Sequence, residues 1–433
     1  MAKINKILII GSGGREHAIG WRIAQSKRAG KIFFAPGNGG TKKIGTNVEI
    51  KATDIKGILE FAQRERIDLT LALPDDPLAL GIVDLFEKNG LRVWGPTKAA
   101  SKLEWSKAFA KDFMQRHNLP TAKFEIFDNF EKAKSYIETQ SFPIVIKASG
   151  LALGKGVVIC KNKEGASKTL ENILVKKIFG DSGNEVVIEE FLVGPEISIH
   201  VFSDGENYKM LPPSQDHKKI GEQDTGLNTG GMGTIAPLPF MSEKLMVEIE
   251  KTIVAPTLAA MQKEGNPFVG LLYPGLILTK NGPRILEFNV RFGDPETQTY
   301  MRLLETDILD IFDACIDKKL DKLEIKWKDL YGCTIVLASG GYPENYEKGK
   351  IISGIEEAQK DPAIVVFHAG TKRDEKENLI TNGGRVLGVS ATGESLQLAL
   401  VKAYEAVLKI SFSGMQYRKD IGQSALKISN YPN

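Results

Sequence analysis

The chain has 433 residues, 42% of them hydrophobic and 26% charged, a globular composition whose length predicts roughly two to four domains. Its 57 basic and 54 acidic residues leave a net charge of +3, which provides no basic field for a nucleic acid or a membrane surface. Three scattered cysteines, no signal-like N-terminus and no apolar run of ~20 residues together predict a cytoplasmic protein without a membrane span.

The first hundred residues alternate between apolar strands and amphipathic helices. Strands are predicted at 7–10, 31–35, 68–73 and 92–94, and helices at about 18–26, 54–65 and 82–89. This alternation predicts a doubly wound parallel sheet, in which a ligand binds at the carboxyl ends of the strands. Those ends hold the segments 11–17, 36–38 and 74–77.

A glycine turn, Gly11-Ser12-Gly13-Gly14, lies between the first strand and the first helix. Backbone N–H groups and a helix N-terminus meet there, as in phosphate sites. A dinucleotide fold would place an acidic residue about 20 residues later, at the end of the second strand. Pro36-Gly37-Asn38 stands there instead, which disfavours NAD and favours a smaller phosphorylated ligand. A purely structural turn is the alternative.

A capping box at Ser101 and Glu104 predicts a helix that runs to about His117. Trp105, Phe109 and Phe113 recur on one face of this helix and are expected to face a core. We expect a domain boundary at the start of the helix.

A second glycine-rich segment, 148–156, joins a strand at 144–147 to a strand at 157–160. It differs from a Walker loop because its glycines are too closely spaced and a strand follows instead of a helix. The sequence therefore predicts a hairpin that closes over a triphosphate, with Lys147 and Lys155 on the phosphates. A plain surface hairpin is the alternative, but it would leave a lysine in a buried strand unexplained.

Two segments in the middle of the chain carry weaker signals. The strand at 186–192 ends with peptide groups, at 190–192, that could read an adenine edge, while Glu196 could accept from ribose hydroxyls. An ordinary hairpin is the simpler reading of that segment alone. Small residues dominate 224–233, which favours close approach to a ligand. A disordered linker is the alternative, and the nearby His217 is expected to be structural.

The segment from Arg284 to Glu296 predicts a strand with an unusual polar face. Leu286, Phe288 and Val290 should point into a core, and Glu287, Asn289 and Arg291 should share the other face. Asn281-Gly282 predicts the hairpin that sets this register. A carboxylate and an amide oxygen suit Mg²⁺ that also binds phosphates, and the arginine suits an anion. An exposed edge strand with an incidental ion pair is the alternative.

The region from about residue 326 is predicted to be a smaller, separate α+β unit. It has strands at 333–338, 365–368 and 386–389 and a helix at about 395–409. Only Arg385 and Arg418 offer readable chemistry, since either could face an anion.

Taken in order, these motifs resemble the ATP-grasp carboxylate–amine ligases and, within them, the phosphoribosylamine–glycine ligase (glycinamide ribonucleotide synthetase) family. The matching segments run nearly end to end and are 11–17, 35–38, 106–111, 150–157, 215–218, 229–233, 287–296 and 417–422. One glycine loop is common, but this ordered set at this spacing is specific.

The resemblance implies an α/β fold in three parts. An N-terminal doubly wound domain would span 1–104. A two-part α+β ATP-grasp domain would span 105–325, with a mobile lid at about 121–192. A small α+β domain at 326–433 would complete the site. The implied reaction has ATP phosphorylate glycine, after which the amine of 5-phosphoribosylamine attacks the glycyl phosphate. Glycinamide ribonucleotide, ADP and phosphate result, in purine synthesis.

The residue patterns and the resemblance together assign roles. ATP is expected on Lys107, Lys147, Gly154, Lys155, Gly156, Glu189, Glu190, Phe191, Leu192 and Glu196. Glycine and 5-phosphoribosylamine are expected on Gly13, Gly14, Arg15, Glu16, Pro36, Gly37, Asn38, Asp75, Asp216, Thr229, Gly230, Gly231, Met232, Arg291, Gly293 and Asp294. Catalytic roles fall to Arg291, Lys155 and Asp216, and a Mg²⁺ or Mn²⁺ ion falls to Glu287 and Asn289. We expect no nucleic-acid or membrane partner, and a monomer or weak homodimer.

Three positions depart from the family pattern. Asp75 stands where glutamate is usual, Ser149 where aspartate is usual, and Leu227 where proline is usual. These departures keep two alternatives open: an ATP-grasp ligase for another acid and amine, and a nucleotide-binding relative without activity. A nicotinamide-dependent dehydrogenase is disfavoured by the missing acidic residue after Phe34.

Overall fold

The computed structural model describes residues 4–151 and 156–428. Its N-terminal part is a five-stranded sheet in the order β3-β2-β1-β4-β5, with every neighbouring pair parallel. The strands are β1 (Ile4–Gly11), β2 (Ala29–Pro36), β3 (Thr46–Asn47), β4 (Leu69–Ala72) and β5 (Val93–Trp94). The helices are α1 (Gly14–Ile23), α2 (Ile55–Glu65), α3 (Asp75–Leu80), α4 (Ile82–Lys88) and α5 (Lys98–Trp105). The predicted doubly wound sheet is confirmed, and its order reverses between β1 and β4, where such folds open a ligand crevice.

The predicted single helix from Ser101 to His117 is wrong. Thr97 caps α5, accepting from the N–H of Ala100 at 3.2 Å, and Ser106 caps a second helix, accepting from Phe109 N–H at 3.3 Å. That second helix is α6 (Lys107–Arg116). Ser101 lies inside α5 and its hydroxyl donates to the carbonyl of Lys98. The segment is divided at Ser106, where the backbone is extended (φ −127°, ψ 99°) and the hydroxyl accepts an N–H that a continuous helix would have paired.

The next unit is a four-stranded antiparallel sheet in the order β6-β9-β7-β8. Its strands are β6 (Phe124–Phe127), β7 (Ile144–Ala148), β8 (Val157–Cys160) and β9 (Val186–Glu190), and its helices are α7 (Phe130–Ile137) and α8 (Lys163–Leu170). These elements enclose a hydrophobic cluster of their own, around Ile146, Leu170 and Ile188. The predicted glycine hairpin is present, because β7 pairs with β8 directly.

A second antiparallel sheet follows, in which the long strand β17 pairs with β10, β11 and β18. Its strands are β10 (Glu196–Ser198), β11 (Val201–Asp204), β12 (Tyr208–Met210), β17 (Val269–Thr279) and β18 (Gly282–Asn289). Around it lie the hairpin β14 (Lys219–Gly221) and β15 (Thr225–Asn228) and the helices α9 (Glu243–Ile249), α10 (Ala255–Lys263), α11 (Glu296–Leu303) and α12 (Ile308–Ile316). One π-helical turn, Glu250–Val254, lies between α9 and α10.

The C-terminal sheet includes two strands from the middle of the chain. Its order is β13-β16-β19-β23-β20, with strands β13 (Gln215–Asp216), β16 (Gly233–Ala236), β19 (Tyr331–Ala338), β20 (Ile364–His368) and β23 (Arg385–Gly393). The remaining elements are β21 (Thr371–Arg373), β22 (Leu379–Thr381), α13 (Ile355–Ala358), α14 (Leu396–Val407) and α15 (Gln423–Lys427). The sheet is thus shared between the C-terminal part and the middle of the chain, because β16 pairs with β19 over four residues.

Among the described residues, no helix combines the length and the apolar character that crossing a bilayer requires.

The shared sheet yields a stability prediction. Ile335 of β19 is fully buried where β16 and β23 flank it, so Ile335→Ala should lower the free energy of unfolding by about 2–5 kcal/mol. Urea unfolding followed by tryptophan fluorescence measures the change. Ile351→Ala is the control, because 62% of Ile351 is exposed, and equal losses in the two variants would contradict the packing described.

Candidate functional site

A bulge in β18 sets which side chains face the site. Gly275 pairs with Glu287, but Leu276 pairs with Ile285, so Leu286 is one residue too many on its strand. Ile285, Phe288 and Val290 are buried, whereas Leu286 is only half-buried. The prediction that Leu286 faces the core is therefore wrong, because the bulge moves Ile285 into that place. Glu287 and Asn289 still lie two residues apart on one face.

Glu287 is held ionised by lysines. Its Oε1 lies 3.2 Å from Nζ of Lys218, and Lys218, with smaller effects of Lys147 and Lys107, lowers the pKa of Glu287 to about 2. Although burial opposes its charge, the neighbouring Glu287 and Glu196 raise the pKa of Lys218. The carboxylate is therefore fully charged at neutral pH, as a hard cation requires of an oxygen ligand.

Asn289 supplies the second oxygen, and its Oδ1 accepts from Nη2 of Arg291 at 3.1 Å. No group of three or more His, Cys, Asp or Glu side chains in the described part of the chain could hold a metal. A carboxylate and an amide oxygen are ligands of the kind that Mg²⁺ takes together with phosphates and water.

Glu104 holds Arg291 in place. Its Oε1 lies 3.0 Å from Nη2 of Arg291, and its Oε2 accepts from the N–H of Val290 at 2.8 Å. Burial raises the pKa of Glu104, although Arg291 opposes this rise. Against its own burial, Arg291 has its pKa raised by Glu104 and then by Asp75. The sequence did not predict this contact of Glu104, because the capping-box pattern assigned its carboxylate to a helix N-terminus.

Two buried lysines share one carboxylate beneath the glycine hairpin. Glu189 lies with Oε1 2.9 Å from Nζ of Lys147 and with Oε2 3.1 Å from Nζ of Lys111. Lys147 also donates to the carbonyl of Leu286 at 3.0 Å. Both oxygens of the Glu189 side chain therefore face lysines, and the role of Glu189 at the nucleotide stays a prediction. No local sequence pattern indicated that Lys111 pairs with Glu189, because the two residues are far apart in the chain.

The N-terminus of α6 docks on the base of the glycine hairpin. Ser149 accepts from Lys107 N–H through its carbonyl at 2.7 Å and from Ala108 N–H through its hydroxyl at 3.1 Å. Lys107 also donates through Nζ to the carbonyl of Gly150 at 3.0 Å. The serine hydroxyl thus satisfies a helix N-terminal donor that an aspartate would also satisfy. Gly154 and Lys155 lie outside the described residues, and Gly156 accepts from Ala148 N–H.

The end of β9 presents backbone groups to the space beside the hairpin. Glu190 accepts from Lys123 N–H through Oε1 at 2.9 Å. Phe191 is 39% exposed, and within the described residues the peptide groups of Phe191 and Leu192 have no protein hydrogen-bond partner. Glu196 is half exposed and lies 3.5 Å from Lys218. The role of these residues in binding the nucleotide stays a prediction.

A further acidic group is Glu296, at the start of α11. Glu296 is buried, and its Oε1 accepts from the Tyr273 hydroxyl at 2.7 Å and from the Ser198 hydroxyl at 3.2 Å. Burial and then Glu296 raise the pKa of Asp216 well above its ordinary value. A small cavity here is lined by Glu196, Ile197, Ser198, Asp216, Lys218, Tyr273, Gly275 and Leu276. The predicted Asp216 therefore faces the site, whereas Glu296 and Tyr273 were missed.

The glycine turn after β1 is partly occupied by the protein's own carboxylates. Glu16 accepts from Gly13 N–H at 2.6 Å and pairs with Nε of Arg15 at 2.6 Å. Asp294 accepts from Arg15 N–H at 3.2 Å, while Arg15 Nη1 donates to the carbonyl of Phe292. The N–H groups of Ser12 and Gly14 have no protein partner among the described residues. These two donors remain available to an anion.

Asn38 has a different function from the predicted substrate contact. Its amide nitrogen donates to the carbonyls of Ser12 and His368, both at 2.9 Å, and its Oδ1 accepts from the N–H groups of Gly40 and Thr41. The amide is thus fully used and joins the N-terminal and C-terminal sheets. Pro36 and Gly37 lie at the end of β2, with Gly37 N–H bonded to the carbonyl of Gly11.

The segment 229–232 is ordered, so the linker alternative is wrong. Gly230 donates through its N–H to the Tyr342 hydroxyl at 3.0 Å, and its carbonyl accepts from Arg385. Arg385 also lies 3.4 Å from Asp294. Met232 is fully buried, and its place among the substrate residues stays a prediction.

Two further residues singled out in the sequence, Arg418 and His217, make their contacts within the protein. Arg418 is buried between Asp224 and Asp420 at 2.7 and 2.8 Å, so it does not face an anion. His217 has Nδ1 3.1 Å from the carbonyl of Gly233, and its Nε2 accepts from the N–H of Gly422. Burial, with Arg418, lowers the pKa of His217 to about 4, in agreement with the predicted structural role.

Comparisons with known proteins agree along the chain. Three family models match: the phosphoribosylglycinamide synthetase N domain at 5–104, its ATP-grasp (A) domain at 105–297 and its C domain at 332–424. A phosphoribosylamine–glycine ligase of Vibrio parahaemolyticus is 47% identical over 97% of this chain and 98% of its own. The crystal structure of the Thermotoga maritima phosphoribosylamine–glycine ligase has a TM-score of 0.83 at 35% identity, over 96% and 99% of the two chains.

A more distant structure shares the fold alone. The biotin carboxylase of Campylobacter jejuni has a TM-score of 0.73 at 15% identity, over 98% of this chain and 95% of its own.

The contact between Ser149 and α6 yields a prediction. Ser149→Ala leaves the N–H of Ala108 without its acceptor, which should weaken this junction by about 1 kcal/mol. Hydrogen–deuterium exchange of the Ala108 amide should become faster in this variant, while exchange at the buried strand residue Ile146 stays unchanged. Ser149→Asp should keep exchange slow, because a carboxylate also accepts there. Unchanged exchange at Ala108 in the alanine variant would contradict the contact.

Proposed function

This chain belongs to the phosphoribosylglycinamide synthetase family, and on that premise we propose that it joins glycine to 5-phosphoribosylamine with ATP. The glycine carboxylate attacks the γ-phosphorus of ATP, and ADP leaves. The amine nitrogen then attacks the acyl carbon of glycyl phosphate, phosphate leaves, and one proton is released from the nitrogen. The products are glycinamide ribonucleotide, ADP and phosphate.

One observation carries this proposal. The strand β18 brings Glu287 and Asn289 to the same edge as Lys147, which donates to the carbonyl of Leu286, and as Arg291, which contacts Asn289. Phosphoryl transfer depends mainly on positioning and on neutralising phosphate charge. An ionised carboxylate, an amide oxygen, a buried lysine and an arginine at one edge supply both requirements.

A divalent ion, Mg²⁺ or Mn²⁺, would be held by Glu287 and Asn289 and would neutralise phosphate charge when bound. Lys147 and Lys107 would contact the phosphates, and Lys155, Gly154 and Gly156 would cover them from the hairpin. The peptide groups of Phe191 and Leu192 would bind the adenine edge, with Glu190 and Glu196 beside them. Water would be excluded from the acyl phosphate by closure of the hairpin.

The substrates would occupy the other side of this edge. Arg291, fixed by Glu104 and near Asp75, would stabilise the charge on the acyl phosphate. Asp216 would accept the proton of the attacking amine, because its raised pKa makes it a better base than an ordinary aspartate. The phosphoribosyl group would bind the free N–H groups of Ser12 and Gly14, on either side of Gly13, with Gly293 and Asp294 opposite. We also propose a cytoplasmic location and a monomer or weak homodimer.

The reaction predicts a strict substrate requirement. ADP release should need glycine and freshly generated 5-phosphoribosylamine together, because without the amine the acyl phosphate cannot react further and the enzyme cannot turn over. A pyruvate kinase–lactate dehydrogenase assay for ADP measures it. A panel of other small carboxylates and amines serves as the comparison, and faster turnover with another pair would contradict the proposal.

The metal pair predicts a selective loss. Glu287→Gln should lower kcat by on the order of a hundredfold or more, because the amide that replaces the carboxylate cannot neutralise the ion. Binding of Mn²⁺ in the presence of ATP, followed by paramagnetic resonance, should weaken in parallel. Glu60→Gln is the control, since Glu60 is exposed on α2. Full activity in Glu287→Gln would exclude this pair as the metal site.

A further inference from the structure

We propose that Lys111 is a positioning residue for the nucleotide site, acting through the carboxylate of Glu189 that it shares with Lys147. The inference rests on the proposed function in one respect, that Lys147 contacts the phosphates. Lys111 itself is buried, with Nζ 3.1 Å from Glu189 and donating to the Thr121 hydroxyl at 2.7 Å. It has no direct route to a ligand, so any effect on the nucleotide must pass through its neighbours.

The contacts of the two lysines converge on consecutive carbonyls of β18. The Thr121 hydroxyl, which accepts from Lys111, donates to the carbonyl of Ile285 at 2.7 Å. Lys147 donates to the next carbonyl, that of Leu286, at 3.0 Å. Both carbonyls directly precede Glu287. The carboxylate of Glu189 and the ammonium groups of Lys111 and Lys147 therefore join three elements: the sheet β6-β9-β7-β8, the helix α6 and the strand β18.

The charge balance of this cluster explains why two lysines are present. With both protonated, one carboxylate faces two cations, and the group keeps one net positive charge. Without the charge of Lys111, Glu189 and Lys147 would form a neutral pair, and the carboxylate would draw Lys147 away from the phosphates. Lys111 therefore leaves Lys147 a positive charge that a triphosphate can use.

The surroundings of Lys111 make its protonation responsive near neutral pH. Charged groups facing it are Glu189 on β9, Lys147 on β7 and, farther away, Glu287 on β18, while the ring of Phe124 on β6 lies 5.7 Å from Nζ. Burial lowers the pKa of Lys111 to about 8, although Glu189 opposes this. Below that pH the cluster carries its extra charge, and above it the charge is lost.

The test measures ATP binding by calorimetry and KM for ATP between pH 6.5 and 9.5. In the unaltered protein, KM should rise by on the order of tenfold above pH 8, as Lys111 loses its proton. Lys111→Met should show the raised KM at every pH, with kcat little changed. Lys111→Arg should keep the low KM across the range, because arginine stays protonated.

Lys263→Met is the control, since Lys263 is exposed at the end of α10 and its loss should change neither KM nor the pH profile. A wild-type pH profile in Lys111→Met or Lys111→Arg would overturn the proposal. If Lys111→Met does not fold, Lys111→Arg alone decides: loss of the rise in KM above pH 8 supports the proposal, and a KM that still rises overturns it. Failure of the ligase reaction would instead appear as ATP binding without turnover, so the two failures are distinguishable.

Discussion

The backbone of β18 is the constraint on which the candidate site depends. Its carbonyls at Ile285 and Leu286 accept from the Thr121 hydroxyl and from Lys147, and its continuation at Val290 donates to Glu104. The strand is thus held from the hairpin side and from α5 at once. Glu287 and Asn289 lie between these contacts, so the position of the two side-chain oxygens proposed to bind the ion depends on how the backbone of β18 is held.

The bulge at Leu286 makes this arrangement possible. A regular strand would alternate Leu286 into the core and Ile285 out of it. The extra residue instead buries Ile285 and leaves the Leu286 carbonyl directed at Lys147. A lysine can therefore be buried beneath the hairpin with two oxygen partners, Glu189 and this carbonyl, which offsets the cost of removing its charge from water.

Local patterns predicted the parts of the fold that local chemistry determines. The continuous apolar runs of β1 and β4 identified buried parallel strands, and Asn281-Gly282 identified the β17–β18 hairpin. The common face of Glu287 and Asn289 was predictable because a spacing of two residues fixes it, while their role as metal ligands stays a prediction. The contact of Glu104 with Val290 was not predictable, since it spans 186 residues. The helix break at Ser106 was also missed, because Ser101 and Glu104 gave an equally good capping pattern nearby.

The sequence also did not predict that strands from the middle and the end of the chain form one sheet. Strands β13 and β16 are short and carry no alternation of their own, so only the pairing of β13 with β16 and of β16 with β19 identifies them. That pairing has a chemical consequence. Asp216 is on the outermost strand of the C-terminal sheet, while Glu296 opens α11, and Arg385 of β23 bonds to the carbonyl of Asp294. The C-terminal sheet therefore supplies a carboxylate and a guanidinium to an edge whose remaining charges come from β18 and α1. A movement of that sheet would change the distance between Arg385 and Asp294. It would thereby change how strongly Asp294 accepts from the N–H of Arg15 at the N-terminus of α1. The free N–H groups of Ser12 and Gly14 at the same place are the donors proposed to bind an anion.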